Sequence, residues 1–262
     1  MSPRDALAHS HSPDDPVPQE RSIEVLTGTK REVRFIERAL QNTPRWPATI
    51  VMDQYHDGPS GALAWGVAQD EDSSACMLLC TGFAGGLDPD CEAGDILLGE
   101  WLNAEDDGET LYSHPRLLEL AAAACEERGL NYRAGGLLSV HAAVCRSNAK
   151  VRLWHETGAL ACSMEDFWLA REAGDRNIPY LAVRVVLDPA TQDLPPFIPG
   201  LVYSHGPKLM AQVAAGIALR WWCLPQLFTL AQQARTAERE LGSFIESFWS
   251  LDLSDIPYLS GE

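Results

Sequence analysis

The sequence predicts an α/β fold of three layers, with helices on both faces of a central sheet that is largely parallel or mixed. Short apolar runs rich in β-branched residues alternate with stretches whose apolar residues recur at helical spacing, the pattern of strands joined by covering helices. The connecting segments carry Gly, Pro and Asp, the residues that favour turns. The chain has 262 residues, 46% hydrophobic and 22% charged, which is ordinary globular usage and enough for one large α/β domain of roughly 250 residues.

Taken in order, Ile23 to Leu26 is a short apolar strand that turns at Thr27-Gly28-Thr29. A helix over Lys30 to Leu40 follows, because Val33, Ile36 and Leu40 fall on one helical face. Ala48 to Met52 reads as a second strand, and the Gly58 to Gly61 stretch as a loop. Met77 to Cys80 is a compact buried strand running into a glycine-rich turn, Thr81 to Leu87, where backbone can approach a ligand closely. Asp95 to Gly99 is a strand, Pro115 to Arg128 an alanine-rich helix and Leu137 to Val144 a further strand. Cys145 to Thr157 reads as a loop. Leu160 to Cys162 leads into a helix from about Met164 to Gly174, and Tyr180 to Leu187, with Val183, Val185 and Val186, is the most β-like segment. The region from Lys208 to Phe248 is helical, broken at Pro225.

Residues 1–22, rich in Pro, Asp, Ser and His, are expected to form a disordered tail, and 23–262 a single domain. The tail lacks the apolar stretch of a signal peptide, and Leu209 to Ala231 is too interrupted by Gln212, Arg220 and Pro225 to span a bilayer. With 20 basic against 37 acidic residues the net charge is −17, so a nucleic-acid partner is not expected. The seven cysteines are odd in number and sit mostly in apolar runs, the usage of reduced core thiols in the cytoplasm. His141 and Cys145 amount to half a zinc site, and no metal is expected.

In α/β sheets ligands gather outside the carboxyl ends of strands. Glu32, after the first strand and its turn, Glu165, opening a helix, and Asp188, ending the last β-like run, all fall at such places. Each also has a plain structural reading: Glu165 as a helix N-terminal acid worth ~0.3 to 1 kcal/mol, Glu32 as a solvated helix charge, Asp188 before Pro189 as a turn residue.

Their surroundings add specificity. Thr81-Gly82-Phe83-Ala84-Gly85-Gly86-Leu87 followed by Gly94-Asp95-Ile96 resembles the glycine-rich turn and GD strand of the nucleoside phosphorylase and nucleosidase superfamily. Met164-Glu165, and Pro179-Tyr180 through Arg184 to Asp188, resemble that superfamily's ME helix start and its P-[FY]-x-x-[VL]-R-x-x-x-D strand. This likeness spans about Ile23 to Asp193. Phe83 to Pro89, Arg184 to Ala190 with Leu194-Pro195-Pro196, and Pro225-Gln226-Leu227 most resemble the hopanoid-associated phosphorylase group, and that likeness reaches on toward Phe248.

The resemblance implies the three-layer α/β/α phosphorylase/hydrolase-like fold with a central mixed sheet and an N-ribosidic cleavage that releases adenine. Asp188 is then the acid that protonates the departing base, a role worth ~10²- to 10⁴-fold. Glu165 accepts hydrogen bonds from the ribose hydroxyls, at roughly 1.5 to 3 kcal/mol for bonds to a charged group. Met164 packs on the sugar, Glu32 orients a water as general base, Phe83, Ala84 and Gly85 lie along the nucleoside, and the purine stacks near Ala143 and Val144. True phosphorylases of the superfamily hold phosphate with an arginine and a serine where this chain has Cys80 and Phe83. The sequence therefore tilts toward water as nucleophile, with inorganic phosphate kept open as a co-substrate that Lys30 and Arg31 would have to serve.

The expected substrate is an adenine nucleoside with a bulky 5′ group of the adenosylhopane type. For it Leu219 to Phe228, including Trp221 and Trp222, offers a lipid-facing wall, although tryptophans so placed also cap cores or dimer contacts. Two other readings stand beside it: a methylthioadenosine/S-adenosylhomocysteine nucleosidase of purine and methionine salvage, and a nucleoside-binding protein without turnover. The resemblance further implies a cytoplasmic homo-oligomer, meeting the membrane surface where a lipid-bearing substrate lies, and no cofactor.

Overall fold

The computed structural model describes residues 22–41, 46–52, 75–195, 198, 223–254 and 256. In chain order the elements are β1 (Ser22–Thr27), α1 (Lys30–Gln41), β2 (Ala48–Met52), β3 (Ala75–Gly86), β4 (Ile96–Ala104), β5 (Leu111–Tyr112), α2 (Pro115–Arg128), β6 (Tyr132–Ser139), α3 (Ser147–Thr157), β7 (Ala161–Ser163), α4 (Asp166–Asp175), β8 (Tyr180–Asp188) and α5 (Leu224–Ser250). The tail expected at residues 1–22 lies outside the described residues except Ser22, which opens β1 and pairs with Ala75. Trp221 and Trp222 lie outside them as well.

The eight described strands form one mixed sheet. β2, β1, β3 and β8 run parallel to their neighbours, β8 meets β4 antiparallel, and β4, β6 and β7 are again parallel. The far end of β3 then pairs antiparallel with β7 at Gly85 and Gly86. The path β3, β8, β4, β6, β7 and back to β3 therefore closes on itself, and the carboxyl ends of β1, β3 and β8 emerge together on one side.

The alternation of side chains on the strands divides the core into layers. Met77, Leu79, Leu181, Val183 and Val185 pack under α1, α2 and α5. Leu78, Cys80, Ala182 and Val186 face the other way, against Phe167, Leu169 and Ala173 of α4. Phe244, Phe248 and Trp249 give α5 a fully buried face. Its end is tied to the approach to β2 by Trp249 Nε1 donating to the Trp46 carbonyl at 3.2 Å and Trp46 Nε1 donating to that of Leu251 at 3.1 Å.

Four expectations are corrected. The glycine-rich segment 81–86 is strand rather than turn, because β3 keeps its parallel ladder with β8 through Gly85. The strand expected at Leu137 to Val144 is β6, displaced toward the N-terminus. Its Gly136 lies under the Trp101 ring, where a Cβ would come within 2.0 Å, so the site of closest packing carries no apolar signal of its own. The loop expected at 145–157 contains α3, which ends at Gly158 with φ 72°. The helix expected from Met164 begins at Asp166, with Glu165 at its N-cap position. Pro225 sits in the first turn of α5, where a missing N–H costs nothing; the part of the expected helix at 208–222 lies outside the described residues.

Because Trp249 is fully buried where α5 meets the sheet, Trp249→Ala should lower stability by about 3 to 5 kcal/mol, measured by urea denaturation. A loss under 1 kcal/mol would mean that α5 is not part of the cooperative core.

Candidate functional site

Glu32 enters the site through the start of α1. Thr29 accepts from the Glu32 backbone N–H on its hydroxyl (3.2 Å) and from Val33 N–H on its carbonyl (3.0 Å). This is an N-terminal cap, but the glutamate three residues on does not fold back to complete a capping box. Its side chain crosses to β3, where Oε1 accepts from Phe83 N–H at 2.8 Å. Glu32 is 3% exposed, and its Oε2 is buried with no hydrogen-bond partner among the described residues. Gly82 makes the crossing possible. It holds φ +151°, and a Cβ there would stand 2.6 Å from Glu32 Oε1 and 3.0 Å from Arg184 Nη1.

Glu165 is held by a buried ion-pair network. Arg184 on β8 projects under α4, where Nε donates to both carboxylate oxygens of Asp166 (3.1 and 2.9 Å) and Nη2 donates to Oδ1 (2.8 Å). The same Nη2 reaches Glu165 Oε2 and Cys80 Sγ, each at 3.1 Å. Ser163 Oγ donates to Asp166 Oδ2 at 2.6 Å and Tyr180 OH to Oδ1 at 3.2 Å. Burial alone would push the Asp166 carboxyl up; the Arg184 guanidinium more than reverses this and holds it below the usual carboxylate range. Glu165 also accepts from the Met164 N–H at 3.1 Å, which fixes the carboxylate at the mouth of α4.

Asp188, 5% exposed, ends β8 beside a second buried cation. Lys150 of α3 donates to its Oδ2 at 2.5 Å. Burial pushes the Asp188 carboxyl above the usual range, and the ammonium offsets this only in part.

These groups meet at one cavity of about 230 Å³. Glu32, Phe83, Ala84, Gly85, Val144, Met164, Glu165 and Asp188, the eight residues singled out from sequence, all line it. Thr29, Ser163 and Arg184 supply its other polar side chains; Leu187, Leu194, Ile198 and Val140 are among its apolar ones. Arg184 is the one cationic side chain among the described lining residues, and its guanidinium is already committed to two carboxylates. Lys30 and Arg31 do not line the cavity, and Arg31 pairs instead with Glu238 on α5. In the sequence Arg184 stands in the strand motif with no role of its own, Asp166 carries no signal beside Glu165, and Lys150 lies in the segment that reads as a loop. Among the described residues no group of three or more His, Cys, Asp or Glu is placed to hold a metal.

The profile of the phosphorylase superfamily matches residues 74–196. A search of curated proteins finds no match. Among solved structures, futalosine hydrolase of Helicobacter pylori is similar at a TM-score of 0.64 and 16% identity, over 87% of this chain and 98% of that one. The 5′-methylthioadenosine/S-adenosylhomocysteine nucleosidase of the same organism, bound to butyl-thio-DADMe-Immucillin-A, gives 0.63 and 15% over 87% and 99%. That of Neisseria meningitidis, bound to methylthio-immucillin-A, gives 0.62 and 15% over 87% and 99%. At these identities the likeness is one of fold. The matched profile spans β3 to β8 and the segment that follows, where most of the site lies, and over that part the chain is similar to the phosphorylase superfamily.

Proposed function

We propose that this protein hydrolyses the N-ribosidic bond of an adenine nucleoside. The observation that carries the reading is the arrival of three carboxylates, from α1, the head of α4 and the end of β8, at a single cavity in three different electrostatic settings. As the C1′–N bond breaks, positive charge develops on the sugar and negative charge on the base. Asp188, whose buried carboxyl retains its proton more readily than an exposed one, gives that proton to the departing purine. Glu165, anchored by Arg184, accepts from the ribose hydroxyls and places negative charge near the oxocarbenium. Glu32 Oε2 takes a proton from water while the water oxygen bonds to C1′. The products are adenine and the free sugar, and solvent returns the proton from Glu32 to Asp188.

Water rather than phosphate is the nucleophile in this reading. A phosphate dianion needs cationic or equally strong donors, and the described lining offers only a guanidinium held by Asp166 and Glu165. The first substrate candidate carries a large apolar 5′ group, as in adenosylhopane. Leu187, Leu194 and Ile198 give the cavity apolar walls, and Leu224 and Phe228, the latter 66% exposed, present apolar surface at the start of α5. No described helix is long and apolar enough to cross a membrane; in this reading a lipid-bearing substrate is met at the bilayer surface. A second reading, cleavage of methylthioadenosine or S-adenosylhomocysteine, is favoured by the fold shared with the two nucleosidases of that specificity.

Asp188→Asn should reduce adenine release by ~10²- to 10⁴-fold while nucleoside affinity, measured by calorimetry, is kept; unchanged release would remove Asp188 from the mechanism. Because Asp188 donates only when protonated, kcat should be highest below its raised titration midpoint and fall as pH rises through it. A rate profile with no descending limb on that side would contradict the assignment.

A further inference from the structure

Lys150 is the fully buried lysine of the described chain, and its place in the fold is costly to explain as packing alone. α3 carries it inward so that Nζ meets four acceptors: Asp188 Oδ2 (2.5 Å) and the carbonyls of Asp188 (3.3 Å), Pro189 (3.0 Å) and Gln192 (3.2 Å). The same helix start grips the segment after β8 from outside. Ser147 N–H donates to Asp193 Oδ1 at 2.7 Å, and Leu194 N–H donates to the Cys145 carbonyl at 2.8 Å. The lysine thus sits at the centre of a clamp between α3 and residues 188–194, and Leu194 of that segment lines the cavity.

We propose that Lys150 is a positioning residue for the proton donor: its ammonium fixes Asp188 through Oδ2 and the following turn through three carbonyls, leaving Oδ1 toward the base, and it stabilises the carboxylate that proton transfer creates. The inference rests on the reading of Asp188 as the acid. The proton travels from Asp188 Oδ1 to the purine nitrogen as the electron pair of the C1′–N bond moves to the base; Lys150 keeps its own three protons throughout. A buried carboxyl alone is a reluctant donor once its product anion has no partner. Burial and the ammonium therefore act in opposite senses on one group, the first retaining the proton and the second easing its departure. The other titratable groups that face Asp188 are the thiols of Cys145 and Cys162. Burial first, and then the Asp188 charge, raise both, Cys162 to about 12, so neither competes as a charge.

The test uses the full chain with 13C-labelled aspartate carboxyls, the Asp188 signal being the one lost in Asp188→Asn. In Lys150→Gln the Asp188 titration midpoint should move upward by about 1 to 3 pH units, and the descending limb of kcat against pH should move with it. KM should change less than kcat. Lys150→Arg, which keeps the charge, should hold the midpoint near that of the wild type. If Lys150→Gln does not fold, Lys150→Met, which fills the same space without an unsatisfied amide, gives the same reading. A midpoint that stays put in the neutral variants, or that moves equally in Lys150→Arg, would overturn the inference and leave Lys150 a packing residue. A wild type that released no base from any nucleoside would instead sink the proposed activity, and the carboxyl titration would still decide whether Lys150 governs Asp188.

Discussion

The ion pair between Arg184 and Asp166 is the constraint on which the site depends. Taking both charges out of water carries a penalty of several kcal/mol per ion, which only excellent geometry and saturated hydrogen bonding offset. Here the guanidinium meets Asp166 through Nε and Nη2, and Ser163 and Tyr180 complete the carboxylate's shell. The pair joins β8 to α4 across one face of the sheet, and its remaining reach holds Glu165 at the head of that helix. A substituted Arg184 would leave the buried Asp166 charge without its cation and take the guanidinium from Glu165 at once, so fold and site share this one network.

The three carboxylates are differentiated by what each is given. Glu165 is given a guanidinium and a backbone N–H. Asp188 is given burial and an ammonium that pull in opposite directions. Glu32 is given one backbone donor on Oε1 and, among the described residues, none on Oε2, so one oxygen fixes the side chain and the proposed hydrolysis assigns the other to the water. Environments that separate like groups in this way let one pocket hold acid and base functions together. The closed path of strands through β3, β8, β4, β6 and β7 sets the distances, since β3 carries Phe83 to Gly85 past both β7 and β8.

Much of this was legible in the chain. β1, β2 and α2 fall where apolar spacing put them, and Glu32, Glu165 and Asp188 stand just beyond or at the carboxyl ends of β1, β7 and β8, where α/β sheets gather ligands. What escaped did so for physical reasons. Gly136 makes room for Trp101 by lacking a side chain, so β6 lost its apolar signature just where it packs most tightly. α3 buries a lysine rather than a hydrophobic stripe, and a pattern keyed to apolar residues reads such a helix as a loop. The segment 81–86 looked like a turn because glycines allow turns, yet here they let a strand pass close to two carboxylates, from Glu32 at Gly82 to Asp188 at Gly85. Arg184 and Asp166 are polar residues in core positions, and only the fold shows that each satisfies the other.

The most direct test of the account is the identity of the sugar product. Purified protein is given methylthioadenosine, and separately adenosine with a long 5′-alkyl chain, with and without phosphate in water enriched in 18O, and the sugar is followed by mass. The account predicts adenine release from at least one of them, with one 18O atom from the solvent in a free sugar, at a rate indifferent to phosphate. A sugar 1-phosphate that forms only when phosphate is supplied would contradict it, and would mean that an anion binds where the described cavity offers no uncommitted cation.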